Sequence, residues 1–241
     1  MKTFKTRGVV LREYNTGEAD KAVILLLKER GRLRVSARGA RKPSSKFMAA
    51  TQLFTYSDFV IADGSSFYSC AQAEVIEPFF QIREDYGTFA AAAEMTRLCE
   101  AVTPEGHPND DTCLLLLCAL NALCKGRQPE LVLAAFRLKL LQNEGLEPDT
   151  KHCAACNAPL AQLNSALAAN AYGLLCPNCS INQDNFACLS PAARQIAEYV
   201  FTADIRSCLT FSAHMHPISE VLQYSNMLVQ LQLDYLGGYY G

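Results

Sequence analysis

The sequence has no run of about 18 apolar residues, so it offers no membrane-spanning helix. Its longest early apolar run, Ala22 to Leu27, is too short for the core of a signal peptide. No internal repeat or low-complexity tract appears. There is no P-loop, no glycine-rich dinucleotide turn and no His-Glu-x-x-His. The acidic pairs Glu18/Asp20 and Asp110/Asp111 read as turns and helix caps. The most basic stretch contains no acid at all, which argues against a metal-dependent nuclease. These gaps point away from an enzyme and toward a cytoplasmic binding protein.

Cysteine is plentiful. There are 11, an odd number, with no export signal ahead of them, which argues against a disulfide framework. Seven lie outside the C-x-x-C pairs, most of them among apolar residues as in Cys113-Leu114-Leu115-Leu116-Leu117-Cys118, and read as reduced core residues. The other four form two C-x-x-C pairs, Cys153/Cys156 and Cys176/Cys179. The stretch between the pairs falls in the C-x2-C-x15–20-C-x2-C range of zinc sites. Each pair can make a knuckle that aims two thiolates at one metal, and two knuckles complete a tetrahedron. Four thiolates leave no open position, so the expected role is structural Zn2+. The same sulfur cage also suits iron. His152, beside Cys153, is not needed as a ligand, and His214 and His216 lack a matching pair.

Net charge is −2, but it is unevenly spread. Residues 1–60 hold 13 Lys plus Arg against 5 Asp plus Glu, and the remainder holds 9 against 19. Such asymmetry suggests a polyanion-binding part joined to a different one. Arg30, Arg32, Arg34, Arg38, Arg41, Lys42 and Lys46 dominate the basic part. Side chains on a strand alternate faces. Leu33, Val35 and Ala37 therefore point one way, and Arg32, Arg34, Ser36 and Arg38 the other. That is an arginine ladder suited to phosphates. Residues 39–46 read as a mobile basic loop after it. Phe47, Phe54, Tyr56 and Phe59 lie nearby as candidates for base stacking, although alternation assigns most of them to the core.

Residues 1 to about 80 read as short strands punctuated by glycines, which suggests a small barrel. From about residue 84 the pattern turns helical. Helices are expected over Tyr86 to Val102, from the Asp110/Asp111 cap to Leu123, from Pro129 toward Gly145, from Ser190-Pro191, and from Pro217 to a stop at Gly237-Gly238.

With these pieces in order, the chain resembles the bacterial RecO family of DNA repair and recombination mediators over nearly its whole length. The matching residues are Gly8-Val9-Val10-Leu11, Tyr14, Glu18, Asp20, Gly31-Arg32-Leu33, Gly39-Ala40-Arg41-Lys42-Pro43, Lys46, Phe54 and Ala73-Glu74. Further on come Phe136 to Leu141, Gly145, Pro148, Gly173-Leu174-Leu175-Cys176 and Leu189-Ser190. The resemblance implies an α+β protein. An OB-fold barrel would occupy residues 1–80. A helical domain over 81–241 would be interrupted by a zinc finger at about 150–185. It implies binding of single- and double-stranded DNA, annealing of complementary strands, and work with RecR and SSB in loading RecA. The net-acidic helical part would hold the protein partners, the SSB C-terminal tail among them. Relatives often end in a basic tail, whereas this chain ends Gly237-Gly238-Tyr239-Tyr240-Gly241. Two rival readings stand beside it, a zinc-ribbon adaptor acting through protein contacts only and a thiol redox enzyme using a C-x-x-C.

Overall fold

The computed structural model describes residues 2–64, 67–160, 163, 167–170, 172–181 and 187–240, without the side chains of 234–240. Five strands come first: β1 (Lys2–Thr16), β2 (Asp20–Leu27), β3 (Gly31–Ala37), β4 (Tyr56–Asp63) and β5 (Tyr68–Glu77). They close into a barrel in the order β1-β2-β3-β5-β4. All pairings are antiparallel except β3 with β5, which is parallel and short. This is the OB-fold expected from the sequence. Alternation fills the barrel. Val10, Val23, Leu25, Leu27, Leu33, Val35, Phe59 and Ile61 form one buried cluster. β2 is buried on its outer side too, at Ile24 and Leu26, and the first helix packs against this strand.

A 3₁₀ turn (Phe80–Arg83) leads to α1 (Tyr86–Val102) and α2 (Asp110–Cys124). Asp85 caps α1 by accepting from the Thr88 N–H at 2.8 Å. That bond holds the Asp85 carboxyl below its ordinary range. The cap of α2 is Asn109, which accepts from Thr112 N–H. Asp110 and Asp111 sit in the first turn instead, where a negative charge also favours the helix. α1 packs on the barrel through Phe89, whose ring meets Phe54 edge-on at 5.5 Å. The chain changes from strands to helices near residue 80, yet its compact units divide between Lys125 and Gly126. α1 and α2 therefore belong with the barrel.

The second unit begins with α3 (Pro129–Asn143). A small module follows, made of β6 (Leu167–Asn170), β7 (Gly173–Leu175), the single turn α4 (Pro177–Ser180) and β8 (Ala187–Leu189). α5 (Pro191–Thr202), a 3₁₀ turn (Ser207–Leu209) and α6 (Met215–Tyr240) complete it. The module's strands pair in the order β7-β6-β8. α3 is buried from Leu131 to Leu141 apart from Leu133, packed by α5 and α6. Even Lys139 is buried, its Nζ lying 2.7–3.1 Å from the Val200, Phe201 and Ala203 carbonyls at the end of α5. α6 runs through Gly237-Gly238, where a stop was expected. Two glycines cost a helix only about 2 kcal/mol together, which weakens it without forbidding it. Among the described residues no helix is long and apolar enough to cross a membrane.

Candidate nucleic-acid interface and metal centre

The alternation read in β3 is present. Leu33, Val35 and Ala37 are buried, while Arg32, Arg34 and Ser36 face outward. The seven basic residues nevertheless do not form one surface. Arg30 folds back so that its guanidinium lies 3.9 Å from the centre of the Phe4 ring. Arg32 donates from Nη1 to the Glu100 carbonyl near the end of α1, at 2.9 Å. Arg41 donates to the Gly17 carbonyl at 2.9 Å. All three are tied to the fold. Gly31 shows how closely this end of β3 is covered. Its φ is +63°, and a Cβ there would stand 1.8 Å from the His107 carbonyl oxygen.

Arg34 and Arg38 differ. Both are exposed, and no hydrogen bond or ion pair among the described residues engages either one. They line a groove of about 840 Å3 on the outer face of the barrel. The register explains its shape. Ser36 pairs with Ala22 across the β2–β3 ladder, and these two small side chains line a low floor. Arg34 and Arg38 stand about 6.6 Å up and down the strand from Ser36. The rims come from the β1–β2 turn, through Thr16 and Asp20, and from the β4–β5 turn, through Asp63, Gly64 and Phe67. Glu105, beyond α1, borders it too. The β2–β3 face and these two turns are where OB-folds bind oligonucleotides.

Residues 39–46, read from sequence as a mobile loop, are a run of tight turns. Gly39 N–H donates to Asp20 at 2.6 Å, Lys42 N–H to the Gly39 carbonyl, and Ser45 N–H to the Lys42 carbonyl. Ala40 is fully buried beneath them. Lys42 remains exposed. Lys46 lies instead with Lys5 in a separate hollow over β1, β4 and β5. Of the aromatic candidates, Phe54 and Phe59 are core, and Phe47 and Tyr56 are half-buried. The aromatic beside the free arginines is Phe67, which is not among those candidates. It is 56% exposed. Its position in the short turn opposite β3 becomes informative only once the parallel β3–β5 pairing is known.

The four cysteines do converge. The sulfurs of Cys153, Cys156, Cys176 and Cys179 all lie within 4.8 Å of one another. Cys156 Sγ and Cys176 Sγ are 3.7 Å apart. A tetrahedron of metal–sulfur bonds of about 2.3 Å has edges of about 3.8 Å, so the cage fits a metal ion of that size. The first knuckle closes through Asn157, whose N–H donates to the Cys153 carbonyl and whose φ is +60°. Asparagine accepts that conformation more readily than most residues. The second pair opens α4, with Cys179 N–H on the Cys176 carbonyl. Burial works against ionising Cys153, but N–H donors from Cys176, Cys156 and Ala155 outweigh it and bring the thiol down to about 6. Cys179 is pushed up to about 12 by its hydrogen bonds to Cys156 and Cys176. Adjacent thiolates repel, and a bound cation removes that repulsion. His152 is turned away to Asp149, at 2.8 Å, so the donor set is sulfur alone.

Known proteins resemble this chain over nearly its whole length. Residues 1–79 match the family described as Recombination protein O N terminal, and residues 83–235 match Recombination protein O C terminal. The chain is 36% identical over 222 residues to the DNA repair protein RecO of Symbiobacterium thermophilum, covering 91% of this chain and 86% of that one. It is 29% identical over 235 residues to the DNA repair protein RecO of Acetivibrio thermocellus, covering 97% and 93%. With the DNA repair protein RecO of Alkaliphilus metalliredigens it shares 34% identity over 203 residues, covering 83% and 82%.

Proposed function

This chain belongs to the RecO family of DNA repair and recombination proteins, and from that premise we propose that it is a mediator that anneals complementary single strands. The observation behind this reading is the pair Arg34 and Arg38, unengaged on the open part of the β3 face and flanking a groove with a low floor. Guanidinium groups so placed can each take a phosphate bidentately. Two DNA strands repel, and a cationic barrel holding one lowers the cost of approach of the other. No bond is made or broken, so the reaction asks for no catalytic residue.

The metal is proposed to be zinc. Residues Cys153, Cys156, Cys176 and Cys179 would hold it with no open coordination position, and bound zinc would supply structure alone. Their module lies between α3 and α5 in the sequence, and the ion would tie its two knuckles together. The second unit is proposed to meet the protein partners, RecR and the SSB tail, so that the DNA can be passed to RecA. It offers a groove of about 300 Å3 in which Leu141, Leu146, Pro148, Leu228 and Leu231 lie beside the polar Glu147, Asp149 and Gln232. The expected location is the cytoplasm, on the nucleoid.

An annealing assay tests the reading directly. Complementary oligonucleotides, one of them coated with SSB, should pair faster with the protein present. Replacing Arg34 and Arg38 with Ala should abolish most of the gain. Full activity in that double variant would move the DNA site off the β3 face.

A further inference from the structure

The groove beside Arg34 and Arg38 has the wrong composition for a simple phosphate track. Asp63 and Glu105, both exposed, border it alongside the two arginines. Among the described residues neither carboxylate has an ion pair. Asp20 also lines it, but its Oδ1 is occupied by the Gly39 N–H. A row of phosphates passing beside free carboxylates would be repelled. A nucleobase would not.

The floor and the wall suit a base. Ala22 and Ser36, both small, line the groove between the two arginines. Val35 is level with Tyr68 in the parallel pairing, and the same register read one residue back sets Phe67 level with Arg34. Neighbouring strands lie about 4.8 Å apart, so the Phe67 ring and the Arg34 guanidinium border the same space. Tyr68 next to Phe67 packs into the barrel core and fixes that position. More than half of Phe67 is exposed, with no ring partner among the described residues. A large apolar ring left bare beside free guanidiniums is the arrangement that stacks a base and holds its phosphate.

Resting on the DNA-binding reading above, we infer that this groove takes a splayed nucleotide of a single strand. The base stacks on Phe67, its phosphates lie on Arg34 and Arg38, and Asp63 and Glu105 accept hydrogen bonds from the base edge. The carboxylates do two things. They repel the second phosphate row of a duplex, which keeps the groove for unpaired strands. They also favour a base that presents an exocyclic amine. Cytosine offers its N4 amine to a carboxylate. Thymine offers only N3–H, flanked by two carbonyl oxygens that face the carboxylate unfavourably.

The test is equilibrium binding of the full chain, followed by anisotropy. The probes are labelled oligo(dC) and oligo(dT) of about 15 nucleotides, together with a hairpin duplex. Wild type should bind dC more tightly than dT and the duplex least. Phe67→Ala should lose about ten-fold or more on the single strands and change duplex binding by less than two-fold. Phe67→Tyr keeps the ring and should retain affinity, whereas Phe67→Leu keeps apolar bulk and should not. Asp63→Asn with Glu105→Gln should erase the preference of dC over dT. Equal affinity of wild type for dC and dT, or equal losses on single strand and duplex in Phe67→Ala, would overturn the inference. Those results would leave the arginine reading in place. Wild-type affinity in the Arg34→Ala/Arg38→Ala variant would overturn that reading separately.

Discussion

Arg32 and Arg34 are equivalent in the strand pattern and different in the structure, and a salt titration can tell which description governs binding. Neutralising Z phosphates of a single strand gives log K a slope against log salt of about −0.7Z. If four phosphates are met, the slope is about −2.8, and raising salt from about 50 to 200 mM weakens binding about fifty-fold. Arg34→Ala with Arg38→Ala removes two contacts. The slope should fall to about −1.4, and the same salt step should cost only about seven-fold. Arg32→Ala should leave the slope near wild type, because its guanidinium is already spent on the Glu100 carbonyl. What Arg32→Ala should lose instead is stability. A hydrogen bond from a charged donor is worth about 2 kcal/mol. For a unit the size of residues 1–125 that lowers Tm by something on the order of 6 °C. Anisotropy of a labelled oligonucleotide across four or five salt concentrations, with a thermal melt of each variant, separates the two effects. A slope flattened equally by Arg32→Ala and Arg34→Ala, with Tm unchanged in both, would refute the assignment of Arg32 to the α1 interface.

Three further outcomes follow from particular contacts. Metal analysis should find about one zinc per chain, and Cys153→Ser with Cys176→Ser should lose both the metal and thermal stability; iron colour or a metal-free, equally stable protein would count against the zinc reading. Lys139→Met should lower the denaturant midpoint by an amount worth about 2–4 kcal/mol, since the Val200 and Ala203 carbonyls would lose this buried donor while Phe201's keeps Gln142, and an unchanged midpoint would show that water replaces the ammonium. The Asp85 cap has a carboxyl depressed below its unfolded value of about 4, so its stabilisation of α1 is present above that pH and disappears as pH falls through the lower folded value; Asp85→Asn should remove this acid-side component from melts followed against pH, and an identical acid limb in the variant would contradict it.

The parts of the fold that follow a strict period could be read from sequence. Period-two burial in Leu33, Val35 and Ala37 gave β3 and its outward face. The C-x-x-C spacing gave the sulfur cage, because two knuckles need no knowledge of the rest of the chain. Helices with clear caps were equally readable, as at Ser190, which accepts from the Ala193 N–H. What escaped depends on distant pairing. Nothing local in Arg32 distinguishes it from Arg34. The difference arises because the segment after α1 runs beside the start of β3, with Gly106 N–H on the Arg32 carbonyl at 3.0 Å. Phe67 escaped for the same reason, since its neighbour across the sheet lies more than thirty residues earlier. The compact division at Lys125 was hidden because α1 has the composition of the helices beyond it, and only its packing assigns it to the barrel.

The covering of β3 also limits how the barrel can hold DNA. One end of the strand is closed by α1 and the segment after it, through Gly31, Arg32 and Glu105. The open part runs from Arg34 to Arg38, about 13 Å at 3.3 Å per residue. That is shorter than the 4–16 nucleotides an OB-fold of this kind engages. A strand laid along β3 would therefore continue past its far end, because the other end is covered. The residues waiting there are the turns of 39–46, where Lys42 is exposed and the backbone is pinned by Asp20 and by the buried Ala40. The basic segment that reads as a separate loop in the sequence is then the extension of the arginine face. For a strand laid along β3, the end toward Lys42 would then offer an exit that is both open and positively charged.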